Sequence, residues 1–185
     1  LISQATPRGG VISGSSSIMH LDGWNWEDAA VKRDDGLHLN WPSFVRWGTP
    51  NFEKGKTEER GKHYAEEKQK IYDFFTLAKN HDPKAKTELP DLRLNAMKGV
   101  FDGSKRLFFH AWELQQLLDI IDFCKTFEIP HPVIVGGYDS HLIMPQLKDA
   151  KIPVMLERVH SLPNSENDPI DLPYRLPAML KEGGV

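Results

Sequence analysis

The amino-acid sequence predicts an α/β fold built on a parallel sheet, and three observations support this prediction. An apolar run at residues 107–109 ends in His110, as expected for a buried strand with a polar residue at its carboxyl end. Residues 113–127 repeat apolar side chains three or four positions apart, the period of a helix that packs on one face. A second apolar run at residues 132–135 ends in two glycines. Strand, helix and strand in this order form one unit of a parallel sheet.

The same patterns predict the other elements. Before this block we expect, in chain order, a strand tail at 1–5, turns at 7–10 and 13–17, a short apolar piece at 18–21, a helix at 25–33, a strand at 36–42, a charged helix at 53–80, a linker at 82–90 and a helix at 92–100. After it we expect a helix at 139–150, a strand at 153–159 and a helix at 172–182. Both a doubly wound sheet and part of a (β/α)8 barrel fit this order. A whole barrel needs about 250 residues, so the 185 residues present would form a partial one.

Composition restricts the class of protein and its partners. The chain is 39% apolar and 26% charged, as in globular proteins, and its net charge of −3 gives no reason to expect nucleic acid or an anionic membrane. No apolar run approaches the roughly 20 residues that cross a bilayer. The single cysteine, Cys124, excludes an internal disulfide and lies on the apolar face of a predicted helix, where we expect a buried thiol. By default we expect a cytoplasmic location, and a small-molecule substrate is the partner implied by the resemblance described below.

His110 is the foremost candidate for a functional residue. In parallel α/β folds, loops at the carboxyl ends of strands converge on one face, where ligands and metals bind. An imidazole at such a strand end is suited to hold a catalytic metal. A histidine that hydrogen-bonds a loop and caps the next helix is an equally good interpretation. The sequence has no His-x-His, His-Glu-x-x-His or Cys-x-x-Cys, so local spacing assembles no complete metal site.

Other strand ends supply candidates for substrate binding. Asn40 ends a predicted strand, and Arg158 and His160 lie two apart at the end of another, on one face. Tyr138 follows the two glycines at positions 136 and 137. Those glycines allow a close approach of the backbone to an anion, but we favour a plain turn, with Asp139 or Ser140 capping the following helix.

Several segments together resemble the metal-dependent amidohydrolase superfamily, and specifically its imidazolonepropionase-like members. The segments are TPRGGVISGSSSIMHLDG, KRLFFHA, VIVGGYDSHLIMPQLKDAKIPVMLERVHSLP and DLPYRLPAMLKEGGV. The resemblance implies a (β/α)8 barrel enzyme that hydrolyses C–N bonds of amides or cyclic amides with a metal-activated water. It places His110 at the metal-ligand histidine of the fifth barrel strand. The sixth-strand histidine falls at Gly136-Gly137 and is missing, so one divalent ion, commonly zinc, is expected rather than two.

The resemblance also implies that residues 1–185 are one partial barrel domain, cut at both ends. The first-strand His-x-His and the eighth-strand aspartate of the superfamily would lie outside this chain. We therefore expect the isolated chain to be inactive, and to associate with itself through the open edge of its barrel. Two alternatives stay open: a doubly wound domain that binds a small ligand near Gly136-Gly137, and a barrel that has lost catalysis and serves as a scaffold.

Overall fold

Six strands form one curled, mixed sheet that makes half of a barrel. The computed structural model describes residues 1–44, 57–81, 91–164 and 167–185, so the predicted linker at 82–90 and the start of the predicted charged helix lie outside the described residues. The strands lie in the sheet in chain order: β1 (Ile2–Ala5), β2 (Ile12–His20), β3 (Ala30–Asn40), β4 (Arg106–Ala111), β5 (Pro132–Gly136) and β6 (Val154–Met155). β1, β2 and β3 pair antiparallel, whereas β3, β4, β5 and β6 pair parallel.

Seven helices occur among the described residues. They are α1 (Trp26–Ala29), α2 (Thr57–Lys79), α3 (Leu92–Phe101), α4 (Leu114–Phe127), a 3₁₀ helix (Tyr138–Leu142), α5 (Met144–Ala150) and α6 (Leu172–Gly183). The helix predicted at 139–150 is thus divided into a 3₁₀ helix and α5, with a proline in the first turn of α5. Among the described helices, none is long and apolar enough to cross a membrane.

The main core lies between one face of the sheet and helices α2, α3 and α4. Leu39, Phe109 and Ile134 are aligned by the parallel register and are fully buried in this core. Phe123 of α4 packs edge-on against Phe75 of α2 and against Phe109, with ring centroids 4.8 and 5.7 Å apart. Because side chains alternate along a strand, the residues between these positions point to the opposite face, which we call the inner face.

Two predictions for the amino-terminal part are wrong. Residues 30–33, predicted as helix, belong to β3, because their backbone pairs with β2 in a register that sets Ala30 against Met19. Only the single turn of α1 is helical, with the Asn25 side chain accepting a hydrogen bond from the Asp28 N–H at its start. Residues 13–17, predicted as turn, lie in β2. The hairpin of β2 and β3 therefore makes the sheet mixed rather than parallel throughout.

The strand predicted at 153–159 is shorter than expected. β6 contains Val154 and Met155, which lie opposite Ile134 and Val135 of β5. β5 turns away at Gly136, so that β6 has no strand beside it beyond Met155. Residues 156–160 consequently leave the sheet, and they carry two of the candidate residues, Arg158 and His160, out of it.

Candidate functional site

The parallel register brings polar side chains together at the carboxyl ends of β3 and β4. Asn40 lies opposite His110, and His110 lies opposite Val135 of β5. All three are on the inner face, away from the helices. His38 is on the same face two positions before Asn40, one step deeper along β3. The inner face at this end therefore carries two imidazoles, on neighbouring strands and diagonal to each other.

The two imidazoles contact each other directly. His38 Nδ1 lies 2.9 Å from His110 Nε2, within hydrogen-bond distance. The His38 ring also stacks on Phe108, with ring centroids 4.6 Å apart and planes inclined by 13°. Because Phe108 lies opposite His38 in the register, the stacking follows from the pairing of β3 with β4. His38 is thus held in place by one ring face and one nitrogen.

Burial keeps both imidazoles neutral. His38 is 1% exposed, and this burial, together with the nearby His110, lowers the pKa of His38 to about 4. Burial also lowers the pKa of His110, although Glu157 opposes the effect. Both rings therefore carry one proton at neutral pH. Within the described ranges, His38 Nε2 is a buried nitrogen with no hydrogen-bond partner.

Glu157 lies on the other side of His110. Its carboxylate oxygen is 4.0 Å from His110 Nδ1, in the segment that follows β6. The ring of His110 thus has His38 at one nitrogen and a carboxylate at the other. From His38 through His110 to Glu157, the three side chains become progressively more exposed.

Asn40 is engaged by the protein itself. Its side-chain amide donates to the Gly10 carbonyl oxygen at 2.7 Å and to Ser13 Oγ at 3.0 Å. These bonds tie the end of β3 to the segment that leads into β2. Contact of Asn40 with a substrate stays a prediction.

The other candidates lie around the loop that precedes α6. The Tyr138 hydroxyl donates to Asp168 Oδ2 and accepts from the Asn164 N–H, each at 3.2 Å. The His160 ring lies 5.5 Å from that of Tyr174 in α6, and Arg158 is exposed. Within the described residues, no hydrogen bond, ion pair or ring contact joins these three side chains to His110. Their part in substrate binding also stays a prediction.

The two glycines at the end of β5 form a tight turn, as the favoured interpretation of the sequence expected. Gly136 and Gly137 have φ angles of +101° and +58°, which side chains rarely adopt. A Cβ on Gly136 would lie 2.6 Å from Trp112 Nε1 and 2.8 Å from the Ala111 carbonyl oxygen. The backbone therefore leaves no room at position 136 for a histidine.

The expected cap of the helix after this turn is not formed by Asp139. The Asp139 carboxylate instead accepts from the Leu114 N–H at 2.9 Å, at the start of α4. Ser140 Oγ donates to the Gly137 carbonyl oxygen within the turn. Gln116 completes the start of α4 by accepting from the Trp112 and Glu113 N–H groups. These bonds anchor the segment after His110 to the turn after β5.

The donor atoms present fit part of a metal site. His110 supplies a neutral imidazole, a common zinc ligand. A catalytic zinc usually takes three protein ligands, and no group of three His, Cys, Asp or Glu side chains suited to a metal occurs in the part of the chain that the structure describes. A site with three protein ligands would therefore need at least one ligand from outside the described residues.

Sequence reasoning missed His38. Its position two residues before Asn40 in a predicted strand was the available signal, because residues two apart share a strand face. The contact with His110 depends on the pairing of β3 with β4, which are 72 positions apart at these two residues. Local patterns carry no information about such a pairing.

Comparisons with known proteins identify a similar fold. No protein-family model matches the chain, and no curated protein matches it. The structure is similar to the crystal structure of an amidohydrolase from Thermotoga maritima MSB8, with a TM-score of 0.69 and 20% sequence identity. The similarity covers 100% of this chain and 49% of that chain, so this chain spans about half the length of the amidohydrolase. At this identity the comparison shows a shared fold: this chain has the fold of half an amidohydrolase.

Proposed function

We propose that residues 1–185 are half of the barrel domain of a metal-dependent hydrolase that acts on C–N bonds of amides or cyclic amides. The observation that carries the proposal is the position of His110, at the carboxyl end of a parallel strand on the inner face of a half-barrel similar to that of an amidohydrolase. The (β/α)8 architecture and the imidazolonepropionase-like subtype are parts of the same proposal.

In this proposal His110 is a ligand of a single divalent ion, with zinc the expected metal. When bound, such an ion lowers the pKa of a water molecule and so supplies a hydroxide nucleophile at neutral pH. The lowered pKa of His110 suits this role, because the ring is neutral and keeps one nitrogen lone pair at neutral pH. The resemblance places the His-x-His ligands and the base outside this chain, so the isolated chain is expected to be inactive.

The substrate would be recognised by polar groups around the strand ends. Arg158 and His160 are exposed in the loop after β6, where they could bind a carboxylate or a carbonyl oxygen of a small molecule. Tyr138 is held by Asp168 and by the Asn164 N–H, which fixes its hydroxyl near the same loop. Asn40 would contribute through the amide that now bonds to Gly10 and Ser13.

A non-catalytic scaffold or ligand-binding domain is the second candidate. It is favoured by the turn at Gly136, where close contacts with Trp112 exclude the histidine that the amidohydrolase resemblance places there. A barrel that kept its fold but no longer held a metal would tolerate this turn.

Metal analysis of the full-length protein tests the proposal. We expect about one equivalent of zinc, and an affinity at least about tenfold lower in His110→Ala, because one ligand is lost. His63→Ala is a matched control, since His63 is an exposed residue of α2 paired with Glu67. Unchanged affinity in His110→Ala would remove His110 from the site. A full-length protein that binds no divalent metal would favour the scaffold.

A further inference from the structure

Gln116, in the first turn of α4, is a buried amide whose hydrogen-bonding capacity is fully used. The residue is 0% exposed. Its side-chain oxygen accepts from the N–H groups of Trp112 and Glu113, at 2.8 and 3.0 Å. Its side-chain nitrogen donates to the carbonyl oxygen of Pro42 at 2.8 Å and to that of Trp41 at the longer distance of 3.4 Å. These four bonds match the two lone pairs and two N–H groups of a primary amide.

The four partners also determine which way the amide points. Two of them are backbone N–H groups, which can only donate, and two are carbonyl oxygens, which can only accept. An amide turned by 180° would place its N–H groups against donors and its oxygen against acceptors, and all four bonds would be lost. The Gln116 side chain therefore has a single orientation that satisfies its surroundings.

The partners of this amide belong to the segments that leave two neighbouring strands. Trp41 and Pro42 directly follow β3, whose last residue is Asn40, and Trp112 directly follows β4, which contains His110. The pairing of β3 with β4 ends at Asn40 and His110, and the Trp41 N–H adds a bond of 3.0 Å to the His110 carbonyl oxygen. Gln116 thus links the two strand ends just beyond the point where the sheet pairing stops.

Capping of α4 does not by itself explain an amide at this position. Gln116 is the third residue of the helix and forms a capping box with Glu113, a position that glutamate fills as well as glutamine does. The bonds to Pro42 and Trp41 are not part of that local pattern, since they reach back 74 and 75 positions along the chain. They require N–H groups, which a carboxylate lacks.

We propose that Gln116 is a positioning residue that sets the spacing of the candidate site, by holding the segment after Asn40 against the segment after His110. Without this link the carbonyl oxygens of Trp41 and Pro42 would lose a buried donor, which is unfavourable. The end of β3 would then be held to β4 less firmly. The inference rests on the proposed function only in assigning a metal and a substrate to the site.

Amide hydrogen exchange of the metal-free full-length protein, followed by NMR, tests the link at the Trp41 N–H, which bonds to His110. Gln116→Met keeps the length of the side chain but has no N–H donor and only a weak acceptor. We expect exchange at Trp41 to become at least about tenfold faster, together with exchange at Trp112 and Glu113. Unchanged exchange at Trp41 in this variant would overturn the proposal and leave Gln116 as a cap of α4.

Gln116→Glu separates the link from the cap. The new carboxylate can accept from Trp112 and Glu113 at the start of a helix, where negative charge is favoured, but it cannot donate. Exchange should become about tenfold faster at Trp41 and stay slow at Glu113. Faster exchange at Glu113 with Trp41 unchanged would contradict the proposal. Gln146→Glu, the same change at an exposed position in the first turn of α5, is the matched control and should leave Trp41 unaffected.

A measurement on the wild type keeps the proposal testable if neither variant folds. Both side-chain N–H protons of Gln116 should exchange with solvent at least about tenfold more slowly than those of Gln146, because they are buried and hydrogen-bonded. Equal rates for the two glutamines would overturn the link.

The outcome can be told apart from that of the proposed function. Exchange is measured without metal, so a protein with the expected exchange pattern that binds no divalent metal would contradict the proposed function alone. A protein that loses zinc in His110→Ala but keeps slow exchange at Trp41 in Gln116→Met would have the reverse meaning. Where zinc binds through His110, Gln116→Glu should lower the affinity about tenfold, and an unchanged affinity would mean that the link does not position the site.

Discussion

At the scale of single residues, β3 carries one buried group that is neutral and one that is charged. His38, near the carboxyl end, is buried and neutral. Asp35, nearer the amino end, is 1% exposed and charged, and accepts from Arg106 Nη1 at 2.9 and 3.0 Å. Lys32 Nζ lies 2.6 Å from the same carboxylate. Burial alone would raise the pKa of Asp35, but Lys32 and Arg106 outweigh it and lower that pKa below its usual value of 3.8.

The Asp35 cluster should make stability depend on pH. A carboxyl with a lowered folded-state pKa stabilises the fold above the unfolded-state pKa, and this stabilisation is lost as the pH falls through the folded-state value. Asp35→Asn should therefore lower the free energy of unfolding by about 1–2 kcal/mol at neutral pH, because both cations remain but are half exposed and partly hydrated. The difference from wild type should shrink as the pH falls below 3.8. Urea unfolding at several pH values measures it.

Asp34→Asn is the matched control for this measurement. Asp34 is exposed and lies 3.8 Å from Lys105, and such surface pairs contribute roughly 0–1 kcal/mol. Asparagine also tolerates the positive φ of +50° at this position. Equal losses of stability in the two variants would mean that burial of Asp35 has no special effect.

At the scale of elements, the turn between β5 and the 3₁₀ helix is hydrogen-bonded to the end of β4, next to His110. The Gly137 N–H donates to the Ala111 carbonyl oxygen at 2.7 Å, directly after His110 in β4. Ala111 and Gly136 are partners in the parallel register. The position of His110 on the inner face is thus coupled to a turn that requires glycine.

Gly136→Ala should destabilise the protein more than a positive φ alone explains. The added Cβ would meet Trp112 and the Ala111 carbonyl, so we expect a loss of about 3 kcal/mol from strain and overpacking together. Gly9→Ala is the control, because Gly9 has a φ of +89° but no atom within 4 Å of an added Cβ. Its loss should be at most about 1–2 kcal/mol. Thermal and urea unfolding compare the two, and similar losses would show that the contacts at Gly136 relax freely.

The elements also show where sequence patterns succeed and fail. The period of α4 and the apolar runs of β4 and β5 predicted these elements to within a residue or two, because burial on one or both faces imposes a repeat on neighbouring residues. Residues 13–17 of β2 carry the serines and glycine of a turn, but pairing with β3 holds them in a strand. Pairing between distant segments overrides local preference there, and no local repeat reports it.

At the scale of the whole molecule, the half-barrel has two open edges. β1 and β6 each pair with one neighbour within the described sheet, and Met155 of β6 is 48% exposed. An unpaired strand edge with apolar side chains is a template for pairing with another chain. We therefore propose that the association predicted from the sequence takes place through a free edge of the sheet, such as β6.

The 185-residue chain should associate in a concentration-dependent manner, and Met155→Lys should weaken this association, because a charge on an edge strand disfavours pairing. Leu77→Lys is the matched control, since Leu77 is 57% exposed on α2, away from both edges. Sedimentation velocity over a concentration series measures the mass of the species. A monomer at every concentration, or an equal effect of both lysines, would exclude association through β6.

The sequence by itself determined the alternation of strands and helices from β4 to α6 and the place of His110 at a strand end. The regular spacing of apolar residues explains this, because it reflects the burial of residues that are close together in the sequence. Only the tertiary structure decided that β2 and β3 pair antiparallel, that Gly136 is closed in by Trp112, and that His38 meets His110. Each of these depends on contact between distant segments, which the register of the sheet sets. The candidate site therefore results from strand pairing. His38 can be recognised as part of it only from the pairing of β3 with β4.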